Sequence, residues 1–419
     1  MATDKKECND EKNERSEDAK HMLAVNYRTR IISSLAEIGA ADWDGLLAEE
    51  SNATTGTPAA AESDHNPFLS YAFLHALHES GSATPETGWE PHYLTLWQDE
   101  RLVAAMPLYR KHHSYGEYVF DWAWAEAYQR HGLPYYPKLL SAIPFTPVRG
   151  SRLLARDDPA RTALISALQA LQSEAEVSST HILYPPPAQA QLLEQAGFLL
   201  RSGVQFHWHN QGYRHFDEFL STLERKKRKN ILAERRKVAD AGVSFRHVRG
   251  ADASEQDWRF FHRCYRHTYA AHHSTPYLNL DFFLRIAAGM PQHLLLTVAS
   301  RDGKDIGSSL VVYDQSSLYG RYWGALEDVP CMHFETAYYQ PLEFCIEQKI
   351  AWFEGGAQGE HKMARGFLPQ QTWSAHWLAH PGFANAVEEF LQREGGGIAN
   401  YLDELNEHTP FRRPKASDL

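Results

Sequence analysis

Between Tyr27 and Leu35 apolar and polar side chains alternate, the period of a strand with one buried face. Asp42–Glu49 fits a short helix, and Ser51–Asp64, rich in Ala, Thr and Gly, reads as a flexible excursion. Asn66 and Pro67 are the residue types of an N-cap and a first helical position. Phe68, Tyr71, Leu74 and Leu77 then recur every three residues, which predicts a helix running to about His78.

Two stretches about 200 residues apart pass through the same order of elements. His92–Trp97 and Arg101–Tyr109 form a hairpin pattern, and so do His293–Ala299 and Ile306–Tyr313. An aromatic-rich strand is expected after each, Tyr118–Trp124 and Leu318–Trp323, and then a helix, Pro159–Leu171 and His333–Gln348. His181–Tyr184 and Ala351–Phe353 close the two series as strands. Antiparallel hairpin, third strand, crossover helix and parallel closing strand is the order of an acyltransferase (GNAT) unit. The expectation is therefore an α/β chain of tandem GNAT-like lobes, residues 23–202 and 203–419, with mixed, largely antiparallel sheets. Residues 1–22 read as a charged disordered tail. The halves share pattern, not sequence.

Composition narrows the function classes. Hydrophobic residues make up 43%, enough for sizeable cores, and no apolar run reaches the length of a membrane span. The N-terminal stretch is charged where a signal peptide would be apolar. Four scattered cysteines without a C-x-x-C pair suit a reducing compartment, so a cytoplasmic location is expected. A net charge of −11 argues against a protein that grips nucleic acid with its whole surface.

One segment opposes that charge. Leu223–Val243 reads LERKKRKNILAERRKVADAGV, with Gly242 where a helix would stop. Leu220, Leu223, Ile231 and Val238 can share a buried face, and Arg228 and Lys229 on the other side are candidates to hold phosphate. A solvated helix face is the plainer reading. In LYGRYWGAL, Gly320 and Gly324 bracket Arg321 and Tyr322 on an expected central strand; glycines there suggest a bulge or close backbone approach, with aromatic core packing as the alternative. His333 and Glu335 open the following helix, one turn before Tyr339, and either can take a proton from an attacking amine. Glu335 equally suits simple favourable placement at a helix start.

In GGAQGEHKMARGF, the side chains Gln358, Glu360, His361, Lys362 and Arg365 can converge on one pocket, where Lys362 or Arg365 would neutralise a phosphate or a developing oxyanion. No metal is expected: E-H-K lacks the paired histidines of a zinc helix, and Lys362 opposes a cation. Ser374 and His376 alternate with Thr372 on one face of an extended segment and are candidates for the same cleft. No nucleophile-elbow sequence surrounds Ser374. Arg149 and Gly150 are a weak match to a helix-start nest for a cofactor phosphate.

The strings GEYVFDWAWAEAYQRHGLPYYPKLLSAIPFTPVRGSRLL, YGRYWG, HFETAYYQ and GAQGEHKMARGFLPQQTWSAHW resemble the bacterial FemAB-like peptidoglycan biosynthesis/recognition family, from about Tyr27 to the end of the chain. The resemblance implies tandem GNAT-related lobes, as in the Fem enzymes, which move amino acids from aminoacyl-tRNA onto cell-wall precursors. The basic helix Lys226–Lys237 resembles the K/R-rich Fem segment, and Lys362 falls at the lysine of a Fem glycine-rich strand end. No segment resembles the coiled-coil arm of some Fem enzymes, which puts tRNA docking in doubt.

The reading that follows is acyl or aminoacyl transfer to an amine acceptor, a cell-wall precursor by resemblance. Arg228 or Lys229 would meet the donor phosphate, Glu335 or His333 take the proton, and Lys362 or Arg365 steady the oxyanion. The co-substrate is aminoacyl-tRNA or acyl-CoA, and no tightly bound cofactor is expected. A plain acetyl-CoA-dependent N-acetyltransferase, or a non-catalytic protein binding a cell-wall or nucleotide-sugar ligand, are the alternatives. Oligomeric state is not readable from the sequence.

Overall fold

A computed structural model describes residues 26–54, 66–356 and 359–412. The expected tail, most of the 51–64 excursion and Gln358 lie outside these residues.

The N-terminal half contains strands β1 (Arg28–Ile32), β2 (Trp89–Pro91), β3 (Tyr93–Gln98), β4 (Arg101–Met106), β5 (Leu108–Lys111), β6 (Lys138–Ser141), β7 (Leu154–Ala155), β8 (Ser179–Leu183) and β9 (Leu199–His209). Its helices are α1 (Ala40–Thr54), α2 (Tyr71–Glu79), α3 (Trp122–Arg130), α4 (Asp158–Glu174) and α5 (Pro187–Gln195). Then come α6 (Phe216–Thr222), α7 (Arg225–Asp240), β10 (Val243–Arg249), α8 (Glu255–Ala271), α9 (Leu280–Gly289), β11 (Leu294–Arg301), β12 (Lys304–Tyr313) and β13 (Ser317–Ala325). A helical turn Met332–Phe334 and a π-turn Glu335–Tyr339 lead into α10 (Gln340–Gln348), followed by β14 (Trp352–Glu354), a 3-10 turn Glu360–Arg365, β15 (Leu368–Leu378) and α11 (Pro381–Glu407).

Three expectations are corrected. The helix expected from Asn66 to His78 breaks at Ser70, whose extended backbone ends a 3-10 turn and whose hydroxyl caps α2 through Phe73 N–H. Arg101–Tyr109 is two strands, because Pro107 has no N–H for a continuous ladder: β4 joins a four-stranded sheet, and β5 joins an eleven-stranded one. Tyr118–Trp124 is not a strand. Its segment turns through left-handed Tyr118 (φ 63°) into α3, and β6 takes the third-strand position.

The large sheet has the order β10-β11-β12-β13-β14-β9-β15-β8-β6-β5-β2. Two of its pairs are parallel, β13 with β14 and β6 with β8, and the two arrangements mirror each other. The centre is shared: β9 pairs with β14, β15 pairs with β8, and β9 and β15 pair antiparallel over Leu199–His207 and Leu368–His376. Each half of the sheet is thus completed by a strand from the other half of the chain. A division after residue 202 falls inside β9.

Alternation sorts the core to either side of the C-terminal half-sheet. Leu294, Leu296, Leu310, Val312 and Tyr319 cluster with side chains of α2, α8 and α9. Leu295, Val311, Leu318 and Phe353 cluster with α6, α10 and Ile231 of α7. Packing is closest at Gly324, where a Cβ would stand 2.0 Å from the Cys264 carbonyl oxygen, so α8 rests on bare β13 backbone.

Candidate active site

The chemistry gathers where β13 and β14 part. Their parallel ladder lasts three residues, ending at Tyr319 opposite Glu354. Beyond it the chain continues as Gly320 on one side and Gly355 on the other. The β12–β13 register shifts here too: Leu310 faces Tyr322 and Val311 faces Gly320, leaving Arg321 as the bulged residue. A small open pocket of about 100 Å³ occupies the gap, lined by Gly320, Arg321, Tyr322, Trp323, His333, Tyr338 and Gly355 among others. The π-turn sits at its edge, a feature common at functional sites.

The π-turn divides the expected residues between two surroundings. His333 and Tyr338 face the cavity. His333 stacks on Trp323 with ring centroids 4.7 Å apart. Burial, followed by the charges of His361, Arg365 and Lys362, pushes its imidazole down to about 4, so it is neutral at pH 7. The Tyr338 hydroxyl lies 3.4 Å from His361 Nε2, and burial pushes it up to about 12. Glu335 is buried and turned towards α7. Its carboxylate accepts from Arg235 Nε (3.2 and 3.1 Å) and Nη2 (2.9 Å) and from Gln340 Nε2 (2.8 Å). Arg235 also reaches Glu343 at 2.8 Å.

Arg365 is held in the same layer. Its Nη2 donates to both Glu234 oxygens (3.0 and 2.9 Å), its Nη1 donates to His361 O (2.8 Å), and its guanidinium lies 3.5 Å over the Phe334 ring. The Tyr339 hydroxyl donates to Glu234 as well. Lys362 is buried, its Nζ donates to Gly356 O at 2.8 Å, and burial lowers it to about 8. Glu360 accepts from Tyr401 at 2.5 Å, and Glu360 and His361 are exposed.

Arg321 reaches across to the N-terminal half, where its Nη2 donates to Phe145 O at 2.6 Å and lies 3.2 Å from the Tyr322 hydroxyl. A guanidinium so engaged joins the two halves at the bulge. On α7, Ile231 and Val238 are buried and Glu234 and Arg235 point to the site. Arg225, Lys226, Lys229, Arg236 and Lys237 are exposed, with Lys227 and Arg228 half-buried, so a basic face runs beside the site.

Ser374 and His376 lie elsewhere. They belong to a buried network of the N-terminal half-sheet, where His376 Nδ1 meets His181 Nδ1 at 2.7 Å and Ser374 Oγ lies 2.8 Å from His376 Nε2. His181 Nε2 lies 3.1 Å from the Tyr135 hydroxyl, which donates to Asp121 at 2.6 Å. Fully buried Lys138 completes the network, donating to Asp121, to Glu117 (2.8 Å) and to Ser114 (2.8 Å). Arg149 and Gly150 form no helix-start nest. Gly150 N–H donates to Tyr184 O at 3.1 Å, Arg149 O accepts from Asn66 at 2.8 Å, and the next helix begins only at Asp158.

The mirror-image parting of β6 and β8, after Ser141 and Ile182, is already occupied. Arg152, wholly buried, donates to Leu183 O (2.9 Å), Gly150 O (2.8 Å) and Val148 O (2.9 Å). The two partings therefore differ: one is glycine-lined and open, and the other is filled by the chain's own guanidinium.

The model of the FemAB-like family, described as peptidoglycan biosynthesis/recognition, matches residues 34–413. The chain belongs to the FemAB-like family. Among solved structures, FemX is similar over 86% of this chain and 100% of its own, at 11% identity and a TM-score of 0.51. A tandem GNAT protein from the clavulanic acid biosynthesis pathway covers 85% of this chain and 99% of its own, at 14% identity and a TM-score of 0.43. No curated protein matches the sequence. The fold of this FemAB-like chain is that of tandem GNAT-like lobes with mixed, largely antiparallel sheets. Among the described residues no group of three or more His, Cys, Asp or Glu could hold a metal, and no helix is long and apolar enough to cross a membrane.

Glu234 and Arg235, which face inward from a run that reads as solvated, and Glu354 are not among the expected site residues. A signal for Glu354 was present: an acidic residue ends an apolar strand directly before two glycines. Lys138 carried a similar one, as a cation opening the apolar run KLLS.

Proposed function

We propose that this FemAB-like chain is an N-acyltransferase that moves an acyl or aminoacyl group from an activated donor to an amine on a peptidoglycan precursor. The observation that carries the reading is the parting of β13 and β14 at Gly320 and Gly355, beside a bulge and a cavity. Strands that separate there leave peptide groups without ladder partners, and an extended acyl arm with amide groups satisfies them. The donor's phosphates would lie along the basic face of α7, Arg228 and Lys229 included, because charged groups there gain most from a polyanion.

At the reacting carbonyl, Lys362 supplies positive charge next to the glycines, where a developing oxyanion or leaving group needs it. Its lowered affinity for a proton also allows it to protonate the leaving oxygen or sulfur. Arg365 acts through Glu234 and Tyr339 to hold the π-turn, and Arg321 sets the distance between the halves. With an already activated donor, positioning supplies most of the acceleration and no covalent enzyme intermediate is required. The family description, peptidoglycan biosynthesis/recognition, favours a cell-wall acceptor over other amines.

The test is transfer of radiolabelled acyl groups from acetyl-CoA and, separately, from aminoacyl-tRNA to lipid-free and lipid-linked precursor peptides. Native mass spectrometry of freshly purified protein would reveal a retained donor. Product from either donor supports the reading; binding of precursor without product from any donor would make the chain a recognition protein instead.

A further inference from the structure

The transfer needs a group to take a proton from the acceptor, since an ammonium cannot attack a carbonyl. Neither residue expected for this task is suited to it. Glu335 is committed to Arg235 and Gln340, and His333, at about 4, binds a proton too weakly to remove one from an ammonium.

We propose that Glu354, the last residue of β14, is the catalytic proton acceptor for the incoming amine, an assignment that rests on the acyl-transfer reading above. Glu354 is buried and ends the parallel ladder, one residue before the cavity-lining Gly355. Its backbone lies close to Gly320, with Glu354 O 3.5 Å from where a Cβ on that glycine would stand. By alternation its side chain leaves the sheet on the face opposite Phe353, and the cluster containing Phe353 also holds the helices α6 and α10. Glu354 therefore points to the face where Tyr319 and the N-terminal half pack. In this assignment the amine approaches the carboxylate from the side of the N-terminal half, next to a carbonyl seated at the parting.

The charged surroundings come from every neighbouring element. Arg149 on the loop before β7 and Arg321 on β13 favour the carboxylate, and Asp314 in the β12–β13 turn disfavours it. His207 on β9, directly opposite in the ladder, has Nε2 4.0 Å from Glu354 Oε2, and is kept neutral by burial, then by Arg149 and Lys362. Burial outweighs the cations and raises Glu354 to about 7, so that it is both ionised and able to bind a proton near neutral pH.

R–NH₃⁺ gives one proton to the Glu354 carboxylate and the freed amine forms the C–N bond. As the tetrahedral intermediate collapses, the C–O or C–S bond to the carrier breaks, the carrier's oxygen or sulfur takes a proton from Lys362, and the second nitrogen proton restores the Lys362 ammonium. Protonated Glu354 then returns its proton to solvent.

The test is the pH–rate profile of transfer with the donor that the wild type accepts. For the wild type kcat/KM should rise with pH and level off above about 7. Glu354→Gln should lose at least about 100-fold and lose that rising limb, while Glu354→Asp should recover part of the rate with its limb shifted. A Gln variant within threefold of wild type, or one that keeps the limb, overturns the assignment. Should the Gln variant not fold, an Asp variant with an unshifted limb overturns it equally. A wild type that transfers nothing from any donor ends the acyl-transfer reading itself and this inference with it.

Discussion

Replacing Lys138 with Met tests whether the buried network of the N-terminal half-sheet is held by charge. Lys138 is fully buried and hydrogen-bonded to Asp121, Glu117 and Ser114. Met fills most of its volume but leaves two buried carboxyls without their cation. Removing one member of a buried, hydrogen-bonded ion pair costs about 3–5 kcal/mol. An unfolding entropy of about 2.1 cal/mol/K per residue converts this to a fall in Tm of roughly 3–6 °C for a chain of this length. The pH dependence distinguishes lost charge pairing from lost packing. In the wild type, burial works against ionised Asp121, yet Lys138 and then His181 hold it well below the usual carboxylate range, so it is charged in folded and unfolded chains alike near neutrality. Burial raises Glu117 to about 7. A carboxyl raised by folding contributes stability below its unfolded pKa and loses it as pH climbs through the folded value. Without Lys138 both carboxyls join this raised class. The deficit of the variant, read by differential scanning calorimetry at about pH 5 and pH 8, should therefore widen at the higher pH. A deficit that is equal at both, or smaller at pH 8, refutes the charge argument.

Lys362→Ala should lower transfer at least about 100-fold with Tm within a few degrees of wild type, because Nζ has a single carbonyl partner outside the reaction; steady-state rates and a melting curve check both halves. Gly324→Ala should cost at least about 3 kcal/mol, since its Cβ would meet the backbone carbonyl of Cys264 at 2.0 Å; a melting curve within 1 °C of wild type would contradict it.

Much of the fold was legible because the signals were local. The hairpin at Leu294–Tyr313, the helix caps and the amphipathic run Ile231–Val238 follow from period and turn chemistry. What was not legible depends on distant partners. The aromatic run around Tyr118 reads as a strand by composition, yet it folds over buried Glu117 and Asp121, whose cation arrives from β6. The exchange of β9 and β15 between half-sheets has no periodic signature, since either pairing suits the same alternation. Within the candidate site, Lys362 and Arg365 come from one segment, whereas His333, from the preceding helical turn, lies near enough for the charges of both to act on its imidazole. Glu335 and Arg321 were placed near the right elements, but their partners, Arg235 and Phe145 O, lie about 100 and 176 residues away. Ser374 and His376 do alternate on one strand face, but the strand delivers them to His181.

The central claim is that an activated donor seats at the β13–β14 parting and not at its mirror image. Hydrogen–deuterium exchange with and without saturating acetyl-CoA, and then with aminoacyl-tRNA, reads this directly. The prediction is slowed exchange at residues 318–324 and 353–356 with one of the donors, and no change at 139–142 and 182–184, where Arg152 already occupies the Leu183 carbonyl. Protection confined to the second pair of segments, or none with either donor, would contradict it.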